Sequence, residues 1–142
     1  ITACVYFIMW LGAWSQLQND PEGICIMSIG FMMSRCLSGI GVITFPKART
    51  DGTVAEFSRN ASEIAVRNVL ITMFVILAAL MIWVDPVLGV LAAVSALLVF
   101  WWYHHMALKY FGGTTGDLSG FFLCICEVVM ALVLALGGTF NL

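Results

Sequence analysis

Long apolar runs, each near the thickness of a bilayer and almost free of charge, limit what this sequence can become. A helix needs about 20 such residues to cross a hydrocarbon core of ~30 Å. Five stretches approach that length: 1–17, 23–45, 67–84, 86–103 and 118–138. Of the 142 residues, 62% are hydrophobic and 10% charged, against roughly 25% charged in soluble domains. The natural solvent of such a chain is lipid. The expected fold is all-α: a polytopic membrane helical bundle in one domain over residues 1–142, with about five transmembrane helices. Pro46 should stop the second helix, because it has no amide hydrogen to donate. Pro86 suits the first turn of the fourth. A formal net charge of -2 offers no basic surface to nucleic acid.

The chain opens at Ile1 inside an apolar run, with no basic stretch ahead of it, which is unlike a signal peptide. The expectation is a C-terminal fragment of a longer protein, lacking its upstream half and inactive alone. Cys4, Cys25, Cys36, Cys124 and Cys126 all lie in apolar segments and form no C-x-x-C pair. They read as small buried hydrophobes.

Loop charge sets the expected orientation. Four of the six basic residues, Lys47, Arg49, Arg59 and Arg67, fall between Pro46 and Asn68, and Lys109 falls in the stretch His104–Asp117. Basic loops mark the cytoplasmic side, and two spans separate these loops, so both should face the cytoplasm and the C-terminus outward. Trp83, Trp101 and Trp102 sit where interfacial anchors belong. Thr53-Val54-Ala55-Glu56 has the form of a capping box. Val54, Phe57, Ala61 and Ile64 follow at helical spacing, so an amphipathic helix should lie at the cytoplasmic interface, with Glu63 and Arg67 as an i,i+4 pair.

Three constellations have chemical content. In Gly112-Gly113-Thr114-Thr115-Gly116-Asp117, glycines permit turns whose consecutive N–H groups face one anion. A helix start with free N–H groups follows at once. Asp117 would repel a phosphate unless a divalent cation such as Mg²⁺ bridged the two. The other reading is a plain turn with Asp117 as helix N-cap. Within the spans, Arg35 and Glu127 each lie about 15 Å from a helix end, near the bilayer centre, where an unpaired charge costs at least ~2.5–3.5 kcal/mol. They should pair, fixing the second helix against the fifth, or else each faces its own polar cavity. Asp117 and Glu127 are about 80° apart around one helix and too far apart along it to share a metal. Arg49 can hold a phosphate as a planar fork or serve simply as a positive-inside anchor. His104 and His105 point about 100° apart, which suits an interface better than a metal.

Taken together, these blocks resemble the C-terminal half of the cobalamin synthase family, adenosylcobinamide-GDP ribazoletransferase. Gly112, Gly113, Thr115, Gly116 and Asp117 match its glycine–aspartate signature, and Glu127 its glutamate ten residues later. Ser34-Arg35 matches an intramembrane pair, and Ala48, Arg49, Gly52 and Phe57 match a third block. The chain departs from the pattern at Leu118-Ser119-Gly120-Phe121 and at Cys124. The family's upstream half carries an aspartate-rich motif that this chain lacks. The resemblance implies a phosphotransfer. The hydroxyl or phosphate end of α-ribazole, or of its 5′-phosphate, attacks adenosylcobinamide-GDP with release of GMP, in the last steps of vitamin B12 synthesis. It also implies Mg²⁺ as cofactor and an inner-membrane location. Asp117 would bind metal or orient substrate, Arg35 and Glu127 would shape the catalytic cavity, and Gly112, Gly113, Thr115, Gly116 and Arg49 would contact phosphate. The implied partners are the two substrates, the lipid bilayer and the missing half of the same polypeptide, with self-association left open. The competing readings are a CDP-alcohol phosphatidyltransferase, whose aspartate array is not visible, a transporter or channel module with Arg35 and Glu127 as pathway charges, and a plain membrane scaffold.

Overall fold

The computed structural model describes residues 2–17, 21–46 and 63–139. The described residues form a bundle of five helices: α1 (Thr2–Leu17), α2 (Pro21–Thr44), α3 (Glu63–Val84), α4 (Pro86–Phe111) and α5 (Gly116–Thr139). Four of them, α2 to α5, are long and apolar enough to cross a membrane, while α1 has 16 residues. The amphipathic segment expected over 53–64 lies mostly outside the described residues, as do Arg49 and its block. Only its last residues belong to the described chain, where they open α3.

α2 and α5 form the centre. α2 packs on α3, α5 and α4, whereas α1 rests almost wholly on α5. α2 is the most enclosed span and α3 the least, with Leu77 and Met81 as its buried residues. Between helices in lipid there is little hydrophobic gain, so close approach through small residues and interhelical hydrogen bonds takes over. The buried face of α2 accordingly carries Gly30, Ser34, Ser38 and Gly41, and that of α4 carries Gly89, Ala92, Ala93 and Ala96. Ser38 Oγ and Ser119 Oγ lie 2.6 Å apart and tie α2 to α5.

Two helix boundaries differ from expectation. α4 runs to Phe111 rather than 103. The aromatic and polar residues after Tyr103 contain no helix breaker, and a helix is free to continue beyond the hydrocarbon edge until Gly112. The expected loop from His104 is therefore helix, and the real connection is only 112–115. α4 spans about 39 Å at 1.5 Å per residue, more than the core needs, which leaves Trp101 and Trp102 within the helix rather than at its end. Both remain exposed. The cysteine expectation also fails in part: Cys36 and Cys126 are buried, but Cys4, Cys25 and Cys124 are exposed. An apolar thiol in a membrane protein has lipid as an alternative to a core.

At the opposite end, α3 and α4 are joined by the single residue Asp85. Its carboxylate accepts from the N–H groups of Val87 (2.8 Å) and Leu88 (3.0 Å) and caps α4, with Pro86 in the first turn as expected. So short a link forces the two backbones together. A Cβ on Gly89 would strike the backbone of Met81 and Ile82, whereas one on Gly137 would meet only the flexible end of Leu88. Gly89→Ala is thus expected to cost about 1–3 kcal/mol through overpacking, and Gly137→Ala clearly less. Comparing their unfolding midpoints in detergent tests this order.

Candidate functional site

Two groups of polar residues in the bundle have chemical content. The first is deep within the spans. Glu127 on α5 is 5% exposed, a position no lone carboxylate can hold cheaply. Its Oε1 accepts from Arg35 Nη1 at 2.6 Å and from Ser34 Oγ at 3.3 Å. Its Oε2 accepts from the Tyr6 hydroxyl at 3.0 Å. Three helices therefore converge on one carboxylate. The expected pair between the second and fifth helices exists, and the reading in which the two charges occupy separate cavities falls away. Tyr6 was not legible beforehand, because it sits 121 residues from its partner in an apolar run. Arg35 Nη1 also reaches the Phe31 carbonyl at 3.0 Å. Its side chain as a whole is 61% exposed.

The second lies at the end of the bundle where α2 stops and α5 starts. Gly112 ends α4 in the left-handed region, with φ 66, and nothing would obstruct a Cβ there. Glycine is required at that point by backbone conformation rather than by space. The N–H groups of Gly112 and Gly113 both turn back to the Ala107 carbonyl. Thr114 donates its N–H to the Pro46 carbonyl at 2.8 Å, and its hydroxyl lies 2.5 Å from that of Tyr103. Phe45, Phe100, Tyr103, His104 and Phe122 pack their rings beneath this junction. The turn is thus clamped to the end of α2, from which the Arg49 segment departs.

This geometry corrects two expectations. Asp117 is not the N-cap: α5 begins at Gly116, and Thr115 Oγ1 accepts the Leu118 N–H at 3.3 Å. Nor do the glycines present a row of free donors, because the N–H groups of Gly112, Gly113 and Thr114 already have partners within the chain. The backbone donors still without an intrahelical partner are those of the first turn, Gly116 and Asp117. Asp117 is exposed beside them, its carboxylate not needed for capping. Thr115→Ala should cost about 1 kcal/mol of stability through loss of the cap without removing any exposed polar group; a thermal unfolding curve checks it.

Among the described residues no group of three His, Cys, Asp or Glu side chains is arranged to hold a metal. A dedicated protein cage is therefore not what these residues form. Asp117 fits the other common mode for Mg²⁺, in which one or two carboxylates share the ion with substrate phosphates. His104 and His105 have rings 6.0 Å apart, His104 against Phe45 and His105 edge-on to Trp101, which is aromatic packing.

Residues 1–135 match the protein family described as cobalamin-5-phosphate synthase. The chain is also 39% identical over 139 residues to an adenosylcobinamide-GDP ribazoletransferase from Lachnoclostridium phytofermentans. That match covers 96% of this chain and 52% of the relative, so the chain spans about half the relative's length. No solved structure matches it.

Proposed function

The chain belongs to the cobalamin-5-phosphate synthase family, and from that premise we propose that it supplies the substrate-positioning half of an adenosylcobinamide-GDP ribazoletransferase. The reaction joins adenosylcobinamide-GDP to α-ribazole or its 5′-phosphate. A ribazole hydroxyl attacks the phosphoryl group on the cobinamide side of the diphosphate, the bond to GMP breaks, and adenosylcobalamin or its 5′-phosphate results. Such a transfer depends on positioning and neutralisation of charge more than on covalent help from the protein.

The observation that carries this reading is the clamped turn. Thr114 and Pro46 hold the start of α5 against the end of α2, which brings an exposed aspartate and a helix N-terminus to one place. There the first-turn N–H groups of Gly116 and Asp117 would receive phosphate oxygens, and Thr115 would keep them aimed. Gly112 and Gly113 would act by shaping the turn. Arg49 would approach from the segment following Pro46 and grip phosphate oxygens in a planar fork. Bound Mg²⁺, held by Asp117 together with the diphosphate, would neutralise charge on the transferring phosphoryl group. The Arg35–Glu127 pair would keep α2 and α5 in register beneath. This end of the bundle would face the cytoplasm of the inner membrane, because Arg67 and Lys109 lie on the helix ends there and the sequence following Pro46 adds Lys47, Arg49 and Arg59.

The test is an assay of the full-length polypeptide in proteoliposomes with adenosylcobinamide-GDP and α-ribazole 5′-phosphate. Equal release of GMP and cobalamin 5′-phosphate is expected. A folded protein that releases neither would end the proposal.

A further inference from the structure

Arg35 has more donors than its surroundings use. Of its guanidinium, only Nη1 is engaged among the described residues, by Glu127, Ser34 and Phe31. Its Nε and Nη2 edge lies in a side chain that is 61% exposed. Yet Arg35 stands fourteen residues into a helix of 24, which is about 21 Å from one end and 14 Å from the other. At that depth exposure means hydrocarbon, unless protein or a polar cavity lies opposite.

The neighbouring surface shows the same imbalance. α1 leans on α5 and scarcely touches α2, which leaves a seam between α1 and α2. On it Trp10 meets Phe31, with ring centroids 6.4 Å apart. The indole N–H groups of Trp10 and Trp14 are buried without acceptors. Met32, one turn before Arg35 on α2, is exposed and apolar. Among the described residues the seam therefore offers the open edge of a cation in an apolar setting. What fits is an apolar helix bearing an oxygen acceptor.

We propose that this seam seats a membrane helix from the part of the full-length protein outside these 142 residues, and that the helix brings a carboxylate or free carbonyl to the open edge of Arg35. The relative's length, about twice that of this chain, provides the source. The proposal rests on family membership and on the Arg35 geometry; it does not require the transferase reading to hold.

A photo-cross-linking amino acid at Met32, one helical turn from Arg35 and 58% exposed, tests it. The probe is placed in the full-length polypeptide in native membranes, with a protease site engineered ahead of Ile1. After irradiation and cleavage, the 142-residue piece should stay covalently joined to the upstream piece. Arg35→Leu should abolish that product, while Arg35→Lys should retain part of it. The same amino acid at Val75 on α3, also 58% exposed, should yield lipid adducts. Lipid adducts alone from position 32, products confined to the 142-residue piece, or cross-links between two copies would each overturn the proposal. The readout requires no catalysis, so an inactive but correctly joined protein would separate failure of the proposed reaction from failure of the docking.

Discussion

Glu127→Ala in the full-length polypeptide is expected to lower stability by about 1–3 kcal/mol, the cost of leaving donors without their acceptor. Glu127 is the acceptor on which Arg35, Ser34 and Tyr6 all converge. Its loss strands a guanidinium near the middle of the bilayer and frees two hydroxyl donors from three-helix contact. Truncating the donors should hurt less. Tyr6→Phe should cost about 0.6 kcal/mol, the average for a hydrogen bond between membrane helices. The double variant Arg35→Leu/Glu127→Leu should cost less than the two single losses added together, because both remove the same interaction. Equilibrium unfolding of the four corners of that cycle gives the coupling directly. Losses that simply add would mean that the two charges are neighbours without energetic dependence.

Asp117→Asn is expected to reduce kcat/KM by about 10²–10³, equivalent to roughly 3–4 kcal/mol at 1.36 kcal/mol per factor of ten, in the range of a metal's stabilisation of transition-state charge. Stability should be unchanged, because Asp117 is exposed and Thr115 performs the capping. That separation between activity and folding is the informative part. It reverses the pattern of Thr115→Ala, which should loosen the helix start and touch catalysis only indirectly. A rise in the Mg²⁺ concentration needed for half-maximal rate should accompany the Asn variant. Wild-type turnover by Asp117→Asn, in protein of unaltered melting behaviour, would remove the aspartate from the site.

Much of the architecture was legible in the chain, because in lipid the backbone has to satisfy its own hydrogen bonds within each segment. Span existence therefore follows from local composition. Pro86 and the single-residue turn at Asp85 are local too. Where the reading stopped short, the cause was a boundary that composition does not mark. His104 and His105 look like the edge of a span, yet the helix passes through them to the first residue that favours a left-handed backbone, Gly112. The glycine signature was similarly misleading about donors. Its spacing allows an anion-binding turn, but whether an N–H is free depends on what it already touches, and Ala107 and Pro46 had claimed three of them.

Matching depth suggested that Arg35 pairs with Glu127 but left separate polar cavities open, and the 2.6 Å contact decided between them. The sequence by itself determined the helical class and the membrane solvent, through rules acting within one segment or along the membrane normal, and its motif blocks carried the family resemblance. Only the tertiary structure decided that Tyr6 and Ser34 complete the carboxylate's shell, that Thr115 rather than Asp117 caps α5, and that one edge of Arg35 remains open. Lateral arrangement within the membrane plane leaves no periodic trace along the chain. It is set by which small residues let two backbones approach.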